Sequence, residues 1–278
     1  MKISLLTDAP KHNLALMQLS AWHKQRGDQV TLNMPIIPAD YTYASVLFEK
    51  NRNLFIADNY GGPAFKDSVL PIGRDLKPDY NLFDLGYSLG YTFRPCFRKC
   101  GFCKVPEMNH PDKEHHSIWD FHDPKFKKIC LLNNNTFFDN QWRETFEEIG
   151  GADLTVIDEN GYDLRLLNDE KAFVLKHTKW ANKLHFAWDD IEDEKEIVRG
   201  LELLKKYKIN NVHIYVLIGF DTTLEQDLYR CQKLVDFGYD PYIMPYSQNK
   251  EEKRFKRFIN TFMWRKYKTI KEAWENYR

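Results

Sequence analysis

The chain has 278 residues, of which 43 % are apolar and 15 % aromatic. That is enough for a large core and too apolar for extended disorder. Forty Lys and Arg balance 40 Asp and Glu, so net charge favours neither a nucleic-acid nor a membrane partner. The longest strongly apolar run, "VHIYVLIGF", is about half a membrane span and holds His213. "MKISLLTDAP" reaches Asp8 too soon for a signal peptide. The expectation is a soluble, cytoplasmic protein, in which five cysteines favour metal binding over disulfides.

Residues 1–80 open with a strand, "KISLL", and then a helical stretch, "NLALMQLSAWHKQR". Leu14, Met17 and Ala21 share one of its faces, and Gly27 suits its C-terminal stop. "QVTLN" and "YASVLFE" read as further strands, so this part is expected to be a small Rossmann-like α/β domain. The run "NYGGPAFKDSVLPIGRDLKPDYNLFD" reads as a linker.

Residues 81–249 carry a βα rhythm. Strands are expected at "YSLGYTF", "KKICLL", "DLTVID", "KLHFAW", "VHIYVLIG" and "PYIMPY". Two intervening helices are explicit. One aligns Ile197, Leu201 and Leu204; the other aligns Leu224, Leu228, Cys231 and Val235. Thr222 with Glu225 fits a capping box for the second, and Gly238 its stop. Strands alternating with helices imply a parallel sheet, here a partial (β/α)6 TIM-like barrel, with chemistry at the C-terminal strand ends.

Residues 250–278 form a basic, aromatic helical tail in which Phe255, Phe258 and Phe262 share a face. Such a stripe either covers a core or offers a nucleic-acid contact.

The first strand of the βα series runs straight into "RPCFRKCGFCKVPE", which sets Cys96, Cys100 and Cys103 in a C-x3-C-x2-C spacing. Three thiolates in one loop suit a metal. Zinc would need a fourth ligand, and His110, His115, His116 and His122 lie downstream in an acidic tract that also reads as an exposed loop. A redox pair would not need Cys96. A four-iron cluster held by three cysteines keeps one iron open to another ligand. Cys130 and Cys231 fall at core positions, so no second cysteine cluster is expected.

C-x3-C-x2-C with an aromatic residue, Phe102, before the last cysteine resembles the signature of the radical S-adenosylmethionine superfamily. "YSLGYTFRPCFRKCGFCKVPE", "LLNNNTF", "NGYDLRLL", "LHFAWDD", "YVLIGFDTTLEQD" and "PYIMPY" resemble members built with an N-terminal cobalamin-binding-like domain, over roughly residues 80–262. The resemblance implies a 4Fe-4S cluster on Cys96, Cys100 and Cys103. It implies that S-adenosylmethionine binds the open iron and is reductively cleaved to a 5′-deoxyadenosyl radical that takes hydrogen from a substrate. It also implies an electron donor such as flavodoxin or ferredoxin. Arg94, Arg98, Lys99 and Lys104 would raise the cluster's potential.

The family's Gly-Gly-Glu motif is replaced here by Asn133–Asn135, so Asn134 and Asn135 are the candidates for the cofactor's ammonium, against an Asn-rich turn. Arg165 would take its carboxylate, or pair with Asp163. Asp189 would meet a ribose hydroxyl or cap a helix. Gly219 would lie against adenine or permit a turn. Among relatives, an Asp-x-His-x-x-Gly motif marks cobalamin binding. The nearest pair here, Asp8 and His12, has the wrong spacing, so no corrinoid is expected.

Overall fold

The computed structural model describes residues 1–65, 76–107, 113–247 and 249–277. The described chain is an α/β protein in which six strand pairs run parallel. It divides into two compact units. One comprises Met1–Pro95, Lys104–Asn133 and Glu147–Thr155; the other comprises Cys96–Cys103, Asn134–Phe146 and Val156–Arg278.

In the first unit, β1 (Lys2–Thr7) leads to α1 (Leu14–Gln25), then β2 (Gln29–Leu32), β3 (Tyr41–Ser45) and β4 (Asn59–Gly61). The sheet order is β2-β1-β3-β4. Central β1 is buried from Ile3 onward, Ser4 and Thr7 included, as befits a strand flanked by two parallel neighbours. Asn13 starts α1 by accepting from the Leu16 amide at 3.2 Å. The buried stripe of α1 is Leu16, Leu19, Ser20 and His23, with Met17 beside it. Leu14 and Ala21, expected on the core face, are only half-buried.

The strand expected at "YASVLFE" begins two residues earlier and stops at Ser45. Val46 still donates its amide to Gly61 O at 2.9 Å; beyond it, Asp8 takes the Leu47 and Phe48 amides at 2.8 and 3.1 Å. Part of the expected linker is strand β4; residues 66–75 of it lie outside the described residues. The unit also holds β5 (Ser88–Gly90), shorter than "YSLGYTF" suggested, paired to β6 (Lys128–Leu131). Two further elements, α2 (Trp142–Gly151) and β7 (Thr155–Ile157), run through the division between units.

The second unit continues with α3 (Asp169–His177), β8 (Lys179–Trp180), β9 (Leu184–Ala187) and α4 (Glu194–Lys206). Then come β10 (Val212–Ile218), α5 (Leu224–Asp236), β11 (Pro241–Pro245), α6 (Lys250–Asn260) and α7 (Ile270–Glu275). β10 lies between β9 and β11. Along it, buried and half-buried residues alternate without a break, as the period-two geometry of a strand demands. The buried set, with Phe186 and Ile243 from its neighbours, packs in one core with Ile197, Leu201 and Leu204 of α4 and Leu228, Cys231 and Leu234 of α5.

Two helix details differ from expectation. The capping box of α5 is Thr223 with Gln226, one residue on from Thr222 and Glu225. Leu224 faces outward, 36 % exposed, while Asp227 and Arg230 are buried. The tail's stripe is core: Phe255 and Phe258 are each 1 % exposed and pack against Trp274. Burial of each is worth about 1.5–3 kcal/mol. Phe262 does not join them, because it adopts φ +59° just after α6 and is exposed. Among the described residues no helix is long and apolar enough to cross a membrane.

Candidate functional site

The loop Cys96–Cys103 belongs wholly to the second unit. Regular secondary structure does not hold it; three side-chain anchors do. Arg98 Nε donates to Asp163 Oδ2 at 2.8 Å. Phe97 meets Phe138 edge to face at 5.6 Å between ring centres. Phe102 meets Phe220 in the same way at 5.6 Å, and Phe220 meets Tyr246 at 4.9 Å. Phe220 and Tyr246 follow β10 and β11, so the aromatic chain seats the loop on the C-terminal strand ends. All three cysteines are half-buried free thiols. Burial pushes the Cys100 thiol up, while Arg165 and Arg98 pull against that.

Asp163 is the centre of the polar network. It is 7 % exposed and accepts from Arg98, from Arg165 Nε at 2.7 Å and Nη2 at 3.1 Å, and from Asn135 Nδ2 at 3.2 Å. It also takes the Arg165 amide at 3.1 Å, which caps the turn Leu164–Leu166. Burial raises its carboxyl, but the two guanidinium groups outweigh burial and hold it below the usual carboxylate range. Arg165 therefore adopts the ion-paired arrangement. Its Nη1 donates to Asp193 at 2.5 Å, a partner 28 residues away in sequence. In sequence, pairing with Asp163 is only the alternative to a contact with the cofactor's carboxylate, and the hub is not legible there, because Arg98, Asn135 and Asp193 come from three other segments with no shared motif.

The three asparagines part company. Asn133 lies in the first unit, where its side chain accepts from the Thr92 and Phe93 amides at 2.9 and 3.1 Å. Asn134 is half-buried in the second unit. Asn135, 7 % exposed, gives its Nδ2 to Asp163, which leaves Oδ1 buried with no hydrogen-bond partner. An unfilled buried carbonyl oxygen costs about 1–3 kcal/mol, and its chemistry suits a donor such as an ammonium.

Asp189 stands just past β9, half-buried. Its neighbour Asp190 takes the capping role, accepting from the Glu192 amide at 3.0 Å. Burial lifts the Asp189 carboxyl to about 6 despite nearby Arg230 and Arg165 and the Leu217 amide. Arg230 is fully buried and donates to Trp188 O, Leu217 O and Asp227 Oδ1, each at 2.6 Å. It thereby ties the ends of β9 and β10 beside Asp189. A carboxyl raised in the folded state binds its proton more tightly there, so stability falls as pH rises from about 4 to about 6. Asp189→Asn is expected to flatten that slope and to be up to roughly 3 kcal/mol more stable at pH 7. Urea unfolding across pH 4–8 checks this; an unchanged slope would assign the titration elsewhere.

Gly219 has φ +75°, which favours glycine, and a Cβ there would lie 2.3 Å from Glu252 Oε1. The close approach it permits in the structure is thus to Glu252, which also caps the Ser247 amide at 3.0 Å.

The surrounding cations are spread out. Arg98 is in the hub, whereas Arg94 lies over the Tyr91 ring and Lys104 pairs with Glu107 in the first unit. Of the histidines, His122 is buried in the first unit against Ser88 Oγ at 3.0 Å, His115 and His116 are half-buried, and His110 lies outside the described residues. Cys130 and Cys231 are fully buried.

Among the described residues, no three His, Cys, Asp or Glu converge closely enough to hold one metal ion. A zinc ion asks its sulfurs to meet at about 2.3 Å from one point. An iron–sulfur cube asks each thiolate only to reach its own iron. Three half-buried thiols, an orphaned amide oxygen and two ion-paired guanidinium groups make up the donor set of this site. No family model, curated protein or solved structure matches the chain.

Proposed function

We propose that this chain is a radical S-adenosylmethionine enzyme, with the second unit as the catalytic part of a partial TIM-like barrel. Cys96, Cys100 and Cys103 would hold a 4Fe-4S cluster. When bound, the cluster would supply one electron to cleave S-adenosylmethionine and release a 5′-deoxyadenosyl radical. The observation that carries this reading is the three-thiol loop seated on strand ends and linked through Asp163 to Asn135, whose buried Oδ1 has no hydrogen-bond partner.

This chain's residues would then divide the work of binding. Asn135 accepts from the cofactor's ammonium, with Asn134 next to it. Arg165, oriented by Asp163 and Asp193, presents positive charge to the carboxylate. Asp189, protonated below about pH 6, can donate to a hydroxyl and above that accept from one. Gly219 shapes the β10 end that adenine would approach. The aromatic contacts of Phe102 with Phe220 and of Phe220 with Tyr246 hold the loop at the strand ends. The reading places the protein in a reducing cytoplasm with a flavodoxin or ferredoxin as electron donor.

Anaerobic reconstitution with iron and sulfide tests it. The expected result is a brown protein with about four irons per chain that forms 5′-deoxyadenosine from S-adenosylmethionine and dithionite. A colourless protein holding one tight zinc would instead support a non-catalytic metal-binding role.

A further inference from the structure

The two faces of the β9–β10–β11 sheet differ in chemistry. One is the core described above. The other, half-buried, carries His185, His213, Tyr215 and Tyr242 toward the N-terminal strand ends. The register sets His213 beside His185 and Tyr215 beside Tyr242. Their rings form a ladder: His185 stacks on Tyr215 at 5.4 Å and on His213 at 5.7 Å, and His213 on Tyr242 at 5.7 Å. His213 is six residues before Gly219, about 20 Å along an extended strand, so the ladder stands well below the thiol loop.

The polar groups of this face are unfilled. Neither tyrosine hydroxyl has a hydrogen-bond partner among the described residues, and His185 Nδ1 is buried without one. Lys183, exposed, has no ion-pair partner among the described residues and donates only to His213 Nε2, at 3.1 Å. Of the nearby carboxylates, Asp158 lies 3.6 Å from His185 but is already engaged by the His185 and Gly161 amides at 2.7 and 2.8 Å. Asp240 pairs with Arg265 at 2.6 Å. Glu159 raises the Tyr215 hydroxyl along with Tyr242 and Asp158, after burial. Lys183 thus offers, at the ladder's edge, an ammonium with no ion-pair partner among the described residues. Burial, then Lys183 and His185, hold the His213 imidazole below its usual range, against Asp240.

We propose that this face binds a planar aromatic ring bearing a carboxylate or phosphate, the ring lying against the His185, Tyr215, His213 and Tyr242 ladder and the acid group on Lys183. Because the ladder rings stack on one another, their half-buried edges are what they offer a ligand ring, an edge-to-face contact. The acid group answers the ammonium and, by adding negative charge, favours protonation of His213. The site stands apart from the iron–sulfur reading and needs neither metal nor S-adenosylmethionine.

Titration calorimetry on the full chain at pH 7, with phenyl phosphate, benzoate, inorganic phosphate and benzyl alcohol as probes, tests the proposal. Phenyl phosphate or benzoate is expected to bind, the tighter one naming the acid. Benzyl alcohol and inorganic phosphate are each expected to bind at least about tenfold more weakly. Lys183→Ala, on the surface, is expected to weaken the ionic probe about tenfold or more, and Tyr242→Leu to weaken it separately. The His213 NMR titration midpoint is expected to rise when the probe is bound. No binding of either ionic probe, equal binding of benzyl alcohol or inorganic phosphate, or binding indifferent to Lys183→Ala with no His213 shift would each overturn it. None of these outcomes bears on 5′-deoxyadenosine formation, which is read separately.

Discussion

Replacing Cys96, Cys100 or Cys103 by Ala, one at a time, is expected to lower 5′-deoxyadenosine formation by at least about a hundredfold and to remove the brown colour on reconstitution. Folding should survive each change. The three thiols sit half-buried in an irregular loop, and the anchors Phe97, Arg98 and Phe102 remain. Cys130→Ala and Cys231→Ala should behave in the opposite way. Both thiols are fully buried in packed cores, so these variants keep the cluster and lose roughly 1–2 kcal/mol of stability. The double contrast is the useful measurement: iron content and absorbance on one axis, chemical unfolding on the other. A cluster that persists in all three loop variants would remove the basis for the radical reading.

Asp163→Ala should produce the largest stability loss in the second unit, about 3–5 kcal/mol. It strips the acceptor from Arg98, Arg165 and Asn135 together and leaves two guanidinium groups facing each other. The loop also loses the Arg98–Asp163 ion pair that ties it to the Leu164–Leu166 turn, so cluster retention should fall with stability. Asp163→Asn, which keeps the shape and removes the charge, is expected to lie between. The pH dependence has a defined sign. The folded carboxyl is held below its unfolded value of 3.8, so its contribution is complete above about pH 4 and is lost as pH falls further. Unfolding of wild type and both variants between pH 3 and 7 would show the curves converging in acid. Curves that stay parallel would mean that Asp163 is not the titrating link.

Local periodicity carried much of the fold. Ile197, Leu201 and Leu204 of α4 are buried as the helical spacing requires. The alternation of "VHIYVLI" places β10 without ambiguity. A one-residue slip in the cap of α5 shows how far this kind of reading extends. Thr222 and Thr223 are chemically alike, and only the packing of Asp227 and Arg230 beneath Trp188 and Leu217 selects the second. The tail is similar. The spacing of Phe255, Phe258 and Phe262 puts them on one helical face, but the chain turns left-handed at Phe262 and sends that ring to solvent.

The sequence by itself determined the scarce, tightly spaced thiols, the alternation of strands and helices, and the amphipathic faces that close the core, because each is written within one or two turns of chain. Tertiary structure alone decided which polar groups meet. Asp163 gathers partners from positions 98, 135 and 165, and Arg165 reaches on to 193. Asn135 keeps an unfilled oxygen while Asn133, two residues away, fills both ends of its amide. The ladder of His185, His213, Tyr215 and Tyr242 exists only through the register of three strands. Hydrogen bonds and stacking act over a few ångströms in space whatever the separation in sequence, so no local pattern announces them.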